Sequence, residues 1–183
     1  MLFFIPIPLL PVQLLWLNLV TNGIQVMSLS VERGEPGVLQ RKPRAPKEPI
    51  FNNLMMSRVI VAGLYIGISS FIVFYTLLSF GYNEDMARNI TLLLMILFEN
   101  IHIFNSRTET QSIFSINHAK NKFLWISVIL AQGVHILSMH IPFMQSLLNV
   151  QPVSLKMWGI LLLIAVMLIA VLEVEKVIRA KLQ

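Results

Sequence analysis

Long stretches without charge are the feature that most constrains this chain. No Asp, Glu, Lys or Arg precedes Glu32, and the range Val59–Phe80 is also uncharged and rich in Val, Ile, Leu and Phe. A helix that crosses the hydrocarbon core of a bilayer needs about 20 mainly apolar residues. Hydrophobic residues make up 56% of the 183 residues and charged residues 13%, against roughly 25% charged in soluble domains. We therefore expect lipid to cover part of the surface.

The predicted fold is an all-α bundle of five transmembrane helices. Pro6, Pro8 and Pro11 break the front of the first apolar stretch, so a bent connection is expected to precede its helix. The predicted spans are Val12–Ser30, Val59–Phe80, Asn89–Phe104, Phe123–Met139 and Met157–Leu172. The third span is short and carries an acid, Glu99, so hydropathy supports it least.

Basic residues concentrate in alternate connections. The loop at 31–58, the loop at 105–122 and the C-terminal tail carry most of the Lys and Arg, whereas Glu84 and Asp85 follow the second span. The positive-inside tendency places the two basic loops and the tail in the cytoplasm. The same distribution argues against a nucleic-acid partner, because the basic residues flank apolar stretches and form no stripe with aromatic residues. The absence of cysteine excludes disulfides and cysteine-ligated metals.

Polar residues inside the first span form a stripe. Asn18, Thr21, Asn22 and Gln25 fall at i, i+3, i+4 and i+7, a spacing that places them on one helix face. Amide and hydroxyl oxygens suit hard cations. Gly23 would ease local unwinding that exposes carbonyl groups to an ion. The alternative is that these side chains only hydrogen-bond neighbouring helices, and the pattern alone does not decide between the two.

Glu99 is the only acid well inside an apolar span. A buried carboxylate is costly unless it is paired, protonated or bound to a cation, which favours a functional role. The alternative is a protonated structural Glu. His102, at i+3, fits a packing role better than a ligand role, and Gln132 and His135 on the fourth span are predicted to contact other helices.

A family resemblance rests on four elements of the sequence. Residues 11–23, PVQLLWLNLVTNG, resemble the sixth transmembrane helix of P-type cation-transporting ATPases of the calcium- and sodium-pump branch, which typically reads L-L-W-x-N-L-V-T-D-G. The E-P pair at 35–36 and R-K-P-R at 41–44 are similar to the family's acidic-proline and R-P-P-R elements. F-E-N at 98–100 resembles its eighth helix. The resemblance covers essentially the whole chain.

The resemblance implies one C-terminal cation-ATPase domain, the sixth to tenth helices of a ten-helix membrane domain. Residues 1–30 would hold the end of the fifth-to-sixth connection and the sixth helix, residues 31–58 a cytoplasmic basic loop, and residues 59–183 the other four helices and a cytoplasmic tail. The function implied is the C-terminal membrane domain of an ATP-driven cation pump.

The phosphorylated D-K-T-G motif, the nucleotide-binding domain and the first helices of the family are not in the sequence. We therefore expect a fragment that cannot hydrolyse ATP alone and has no catalytic residue. ATP and magnesium are expected for the full-length pump and no cofactor for this chain. The expected partners are the missing helices and cytoplasmic domains, the transported cation and membrane lipid, and the expected location is a bacterial plasma membrane.

The resemblance also implies functional residues. The cation ligands would be Asn18, Thr21, Asn22 and Glu99, with Gln25 and His102 as possible additions, and the contact with the cytoplasmic domains would use Arg41, Lys42 and Arg44. Asn22 stands where the family usually has Asp, which removes one charge and leans toward a monovalent ion or a single divalent ion. A stand-alone small carrier or accessory subunit, whose polar residues only join helices, is the alternative function.

Overall fold

The computed structural model describes residues 6–32, 53–108 and 111–182, and these ranges contain helices, turns and no strand. The first helix, α1, is a helical run at 11–29 composed of the α-helix Pro11–Leu17, the π-helical segment Asn18–Asn22 and the α-helix Gly23–Leu29. The others are α2 (Asn53–Ser79), α3 (Glu84–Asn105), α4 (Lys122–Ser138), α5 (Pro142–Leu148) and α6 (Leu155–Leu182).

Three of the described helices, α2, α3 and α6, are long and apolar enough to cross a membrane. The pair α4 and α5, bent by 93°, adds a fourth span if it counts as one. The run α1 has a π-helical interruption, and its nineteen residues would extend roughly 28 Å at the rise of an α-helix, close to the thickness of a hydrocarbon core. The all-α membrane fold predicted from the sequence is confirmed.

Helix α3 is the centre of the bundle. In its most apolar window 72% of the residues are buried, against 17% in α2 and 22% in α6. Its buried side includes Leu93, Leu94 and Phe98, and Tyr65 of α2 meets the Phe98 ring edge-on at 5.8 Å. Because other helices cover α3, it does not need the apolar surface that lipid demands, which explains why it is the least apolar of the three spans.

Helices α2 and α6 present apolar side chains outward. Large exposed residues on these faces include Leu64, Phe71, Ile160 and Leu163. Exposed aliphatic and aromatic side chains along a helix of this length are typical of a lipid-facing surface. Inside, the Tyr65 hydroxyl donates to the Ile164 carbonyl at 2.9 Å and ties α2 to α6.

The connections gather at two ends of the bundle. At one end Arg88 Nε donates to the Ile7 carbonyl at 3.0 Å and Asn89 Nδ2 to the Gln151 carbonyl at 2.8 Å. At the other, which we call the basic end, ion pairs and hydrogen bonds join Glu32, the 105–121 connection and the end of α6. The arrangement agrees with the alternation of connections predicted from the charges.

The helix bounds differ from the predicted spans where polar residues are helical. Helix α3 begins at Glu84, because the Asn83 side chain accepts from the Met86 amide at 2.8 Å and caps it. Helix α2 begins inside the range predicted as loop. Helix α6 runs past Leu172 to Leu182, its charged turns held by pairs such as Lys176–Glu173 at 2.7 Å.

The fourth connection contains a helix that the sequence analysis did not predict. Helix α5 begins with Pro142 and ends at Leu148, and Asn149, whose φ of 51° is left-handed, follows as its C-cap. Gln13 Nε2 donates to the Leu148 carbonyl at 2.9 Å, so a side chain of α1 satisfies the end of α5. The predicted cytoplasmic contact residues, Arg41, Lys42 and Arg44, lie outside the described residues.

Candidate cation site

Helix α1 changes its winding at the residues predicted to bind a cation. The Gly23 amide donates to the Asn18 carbonyl, an i to i+5 bond that makes the segment Asn18–Asn22 π-helical. Single π-helical turns inside α-helices are frequent at functional sites. The sequence suggested unwinding near Gly23. The observed change is a wider helical turn, and Gly23 itself has an ordinary helical φ of −63°.

The polar stripe of α1 is divided between two surfaces. Thr21 and Gln25 are buried against the bundle, whereas Asn18 and Asn22 are exposed. Asn22 Nδ2 donates to Asn18 Oδ1 at 3.0 Å, and the Thr21 hydroxyl donates to the Leu17 carbonyl at 2.7 Å. Successive helical residues are rotated by about 100°, so the four side chains cover a broad strip of the helix surface. One edge of this strip faces α3 and α4, and the other edge faces away from them.

Three amides form a chain across three helices. Gln25 Nε2 of α1 donates to Asn100 Oδ1 of α3, and Asn100 Nδ2 donates to Gln132 Oε1 of α4 at 2.7 Å. Gln132 Nε2 is buried without a partner among the described residues. Gln25 therefore joins helices through its nitrogen, which leaves Oε1 as the atom through which it would bind a cation.

A second contact joins α1 to α4. Trp16 Nε1 donates to His135 Nδ1 at 3.2 Å, and His135 is fully buried. An imidazole whose Nδ1 accepts a hydrogen bond is neutral and carries its proton on Nε2, an atom that is buried without a partner among the described residues. The prediction that Gln132 and His135 contact other helices is confirmed.

Glu99 lies next to Asn100 on α3 but faces about 100° away from it. It is half-buried, and no hydrogen bond or ion pair joins it to any described residue. This chain therefore brings Asn18 and Asn22 together, and Gln25 and Asn100 together, without joining Glu99 to either pair. No group of three or more His, Cys, Asp or Glu side chains that would hold a metal occurs in the described part of the chain.

His102 is one helical turn beyond Glu99, toward the basic end. Its Nδ1 atom is buried and has no hydrogen-bond partner among the described residues. The ring lines a cavity of about 250 Å³ together with residues of α2, among them Arg58, and with Ser106 of α3. Asn18 and Asn22 of α1 do not line this cavity. The structure therefore separates His102 from these two residues.

A partly buried ion pair lies at the basic end of α1. Arg107 Nε and Nη2 donate to the two oxygens of Glu32, each at 2.8 Å, and Asn121 Nδ2 donates to Glu32 Oε2 at 2.7 Å. The Arg107 guanidinium holds the pKa of Glu32 below its ordinary value, and the Asn121 amide adds to this against the opposing effect of burial. The end of α1 is thereby fixed to the connection between α3 and α4.

A second cluster fixes the same connection to α6 and α2. Lys176 Nζ donates to Asn105 Oδ1 at 2.7 Å and to the Gln111 carbonyl at 3.0 Å. Arg58 donates to the carbonyls of Asn105 at 2.9 Å and Thr108 at 2.8 Å. The basic residues of this end therefore bond the protein's own backbone and acids, in addition to any role beside the membrane surface.

Comparison with known proteins decides the family. Residues 6–178 match the family described as "Cation transporting ATPase, C-terminus". The chain belongs to this family. The predicted resemblance to P-type cation pumps is confirmed, and the protein is an integral membrane component of a cation-transporting ATPase.

Relatives of this cation-transporting ATPase domain are named as calcium pumps. It is 32% identical to a calcium-transporting ATPase of Bacillus subtilis, with 86% of this chain and 18% of the relative covered. Calcium-transporting ATPase 1 of Bacillus cereus is 29% identical, with 92% and 21% covered. The endoplasmic reticulum calcium ATPase srcA of Aspergillus fumigatus is 26% identical, with 93% and 21% covered. The chain spans about a fifth of the length of these curated relatives.

Sequence reasoning missed the connecting residues around the site. Asn100 was visible only as part of the F-E-N element, although an amide beside the one intramembrane acid was a usable indication. Arg107 and Glu32 were counted as loop charges, and nothing in their spacing of 75 residues indicates that they meet.

Proposed function

We propose that this chain supplies part of the transmembrane cation-binding site and ion pathway of an ATP-driven P-type cation pump. The observation that carries the proposal is Glu99, a carboxylate inside the central helix of a membrane bundle with no partner in the described chain. Such a group is costly unless a proton or a cation neutralises it. A transported cation is the neutralising partner that a pump of this family would bring.

The exposed amides of α1 support the same proposal. Asn18 and Asn22 lie at membrane depth on a face that the described helices leave open, and Thr21 lies beside them on the π-helical segment. Polar groups at this depth are expected to meet protein or an ion in the assembled pump, since lipid cannot satisfy them. We propose that the missing N-terminal helices cover this face and complete the site with Asn18, Thr21, Asn22 and Glu99.

Calcium is the first candidate for the ion. The named relatives support calcium, and Glu99 with neutral oxygen donors is a set that a hard cation accepts. Asn22, which brings no charge, favours a monovalent ion or one divalent ion as the alternative. The experiment has to compare both classes of ion.

The rest of the pump follows from the family. ATP and magnesium would act on the cytoplasmic domains, which we propose contact Arg41, Lys42 and Arg44. The location we propose is a bacterial plasma membrane, supported by the two Bacillus relatives, although one relative is named for the endoplasmic reticulum.

The test is ATPase activation of the full-length pump by sodium, potassium, calcium and manganese. We expect calcium to activate the wild type and Glu99→Gln to shift that activation curve to higher concentration. Asp85→Asn is the matched control, because Asp85 is an exposed acid outside the apolar part of the same helix. Activation curves for Glu99→Gln that match the wild type for every ion would refute the assignment of Glu99.

A further inference from the structure

A second groove at the basic end has almost wholly apolar walls. Helices α3, α4 and α6 and the connection between α3 and α4 enclose a volume of about 320 Å³, which we call the aromatic groove. Three of its walls are Phe104, Phe114 and Trp125, and its one titratable wall residue is His118. One water occupies about 30 Å³ in the liquid, so the groove has room for a segment of a hydrocarbon chain.

The aromatic side chains hold the groove open at the surface. Phe114 is 80% exposed and Trp125 is 46% exposed. The Trp125 ring packs against Phe104 with centroids 4.8 Å apart, and its Nε1 donates to the His118 carbonyl at 3.1 Å. Tryptophan with a bonded N–H and an exposed apolar ring is typical of the boundary between membrane and water.

The groove extends from this boundary into the apolar part of the bundle. Ile101 lies one turn before the end of α3 at Asn105, and Ile169 lies one turn before Glu173, the acid that ends the uncharged part of α6. The floor is therefore at the depth of acyl chains, and the mouth is at the level of the charged residues. This is the profile of a lipid, with its chain below its headgroup.

Two lysines flank the mouth of the groove. Lys122 begins α4 one turn before Trp125, and Lys120 ends the short helical turn that begins at His118. Both lysines are exposed, and neither side chain forms an ion pair or a hydrogen bond in the described part of the chain. They are therefore available for an anion outside the bundle.

Nearby basic residues already have acidic partners. Arg107 pairs with Glu32 at 2.8 Å, and Lys176 pairs with Glu173 at 2.7 Å. The uncompensated charge at the mouth is thus positive. A small soluble anion would not use the apolar walls, and a ligand without net charge would gain little from the lysines. An anionic amphiphile uses both.

We propose that the aromatic groove binds one anionic phospholipid of the membrane leaflet at the basic end. An acyl chain lies along Phe104 and Trp125, and the phosphate lies beside Lys120 and Lys122. The same connection carries Arg107, which holds Glu32 at the end of α1. The bound lipid therefore covers the segment that anchors the helix with the candidate cation ligands.

The test uses brominated acyl chains, which quench tryptophan fluorescence on contact. The full-length pump is reconstituted in phosphatidylcholine vesicles with increasing fractions of brominated phosphatidylglycerol or brominated phosphatidylcholine. The difference between the wild type and Trp125→Phe isolates the quenching of Trp125. A lysine beside an anionic lipid contributes about 1 kcal/mol, or about fivefold in affinity. We expect Trp125 to prefer brominated phosphatidylglycerol over brominated phosphatidylcholine by at least about fivefold.

Charge variants show where the preference arises. In the double variant Lys120→Gln and Lys122→Gln we expect the preference to fall at least about fivefold, the share of one or both lysines. Lys156→Gln is the matched control, because it removes an exposed lysine at the other end of α6, and it is expected to keep the wild-type preference.

Three results would overturn the lipid site. They are equal quenching by both lipids in the wild type, a preference that persists in the double variant, and an equal loss in Lys156→Gln, which would make the effect one of net charge. Trp125 that neither lipid quenches would overturn it too, because another part of the pump would then cover the groove. None of these measurements depends on which cation the pump carries.

Discussion

Asn100 and Glu99 are neighbours on α3 but differ in their hydrogen bonding. The Asn100 amide has a partner on each of two helices, whereas the Glu99 carboxylate has none among the described residues. In a bilayer an unsatisfied polar group costs several kcal/mol, so a polar side chain at this depth needs a partner. The bonded amide joins helices, and the unbonded acid is the residue that we propose binds the cation.

Removal of the central amide gives the first prediction. Asn100→Ala leaves Gln25 Nε2 and Gln132 Oε1 without their observed partner, so we expect the free energy of unfolding to fall by about 1–2 kcal/mol. Thermal unfolding of the purified pump in detergent measures this. Asn22→Ala, which removes an exposed amide, is the control and is expected to change stability by less than about 0.5 kcal/mol. Equal effects of the two variants would refute the structural role of Asn100.

The Glu32–Arg107 pair gives a pH prediction. The pKa of Glu32 is lower in the folded chain than in the unfolded chain, so at acidic pH the folded state binds fewer protons than the unfolded state. The stabilisation is complete above the ordinary Glu pKa of about 4.3 and is lost as the pH falls through the lowered value. We expect Glu32→Gln to flatten the acid limb of the stability curve, and Asp85→Asn to leave it in place. An unchanged acid limb in Glu32→Gln would contradict the pairing.

At the level of the helices, uncharged apolar stretches located the spans, and polar contacts set their ends. Uncharged stretches predicted α2 and α6, yet the predicted bounds missed the first turns of α2 and the last turns of α6. Those turns are polar, and pairs such as Lys176–Glu173 hold them in place through contacts that no local pattern reveals. Helix α5 was missed for the same reason, because its end is satisfied by Gln13, which is distant in sequence.

The turn between α2 and α3 gives a prediction at this level. Gly81 has a φ of 82°, and its amide donates to the Leu78 carbonyl at 3.0 Å in the turn that ends α2. Alanine there meets no atom within 4 Å, so the cost is backbone strain alone. We expect Gly81→Ala to lower the free energy of unfolding by about 1 kcal/mol.

Gly159 on α6 is the matched control for Gly81. Its added methyl group also meets no atom within 4 Å, but its backbone is helical, where alanine is favoured over glycine by about 0.5–1 kcal/mol. Gly159→Ala is therefore expected to raise the thermal unfolding midpoint, opposite to Gly81→Ala. A shift of the same sign in both would show that the turn does not depend on its left-handed residue.

For the whole molecule, the sequence predicted the all-α membrane fold and the candidate site residues. It did not predict how the helices bring those residues together. Asn18, Thr21, Asn22 and Gln25 looked like one stripe, but packing against α3 and α4 buries only part of it. That division depends on which helices are neighbours, which spacing in one helix does not contain. The charge alternation did predict which connections meet at each end of the bundle.

Orientation in the membrane is a prediction at this scale. The chain has no cysteine, so any labelling of this chain by a thiol reagent comes from the single cysteine that is introduced. We expect Asp85→Cys to react with an impermeant thiol reagent added outside the cell and Lys120→Cys to react only after permeabilisation, because basic connections favour the cytoplasm. The reverse labelling pattern would invert the orientation.

Equilibrium calcium binding to the full-length pump, wild type against Glu99→Gln, tests most directly whether these helices contribute to the cation site. Two unit charges about 4 Å apart attract each other by about 4 kcal/mol at the effective dielectric constant of a protein site, so we expect loss of the carboxylate charge to weaken calcium binding at least about tenfold. Asp85→Asn is expected to bind like the wild type. Calcium affinity in Glu99→Gln equal to that of the wild type would contradict the proposal that this chain supplies the charged ligand of the site.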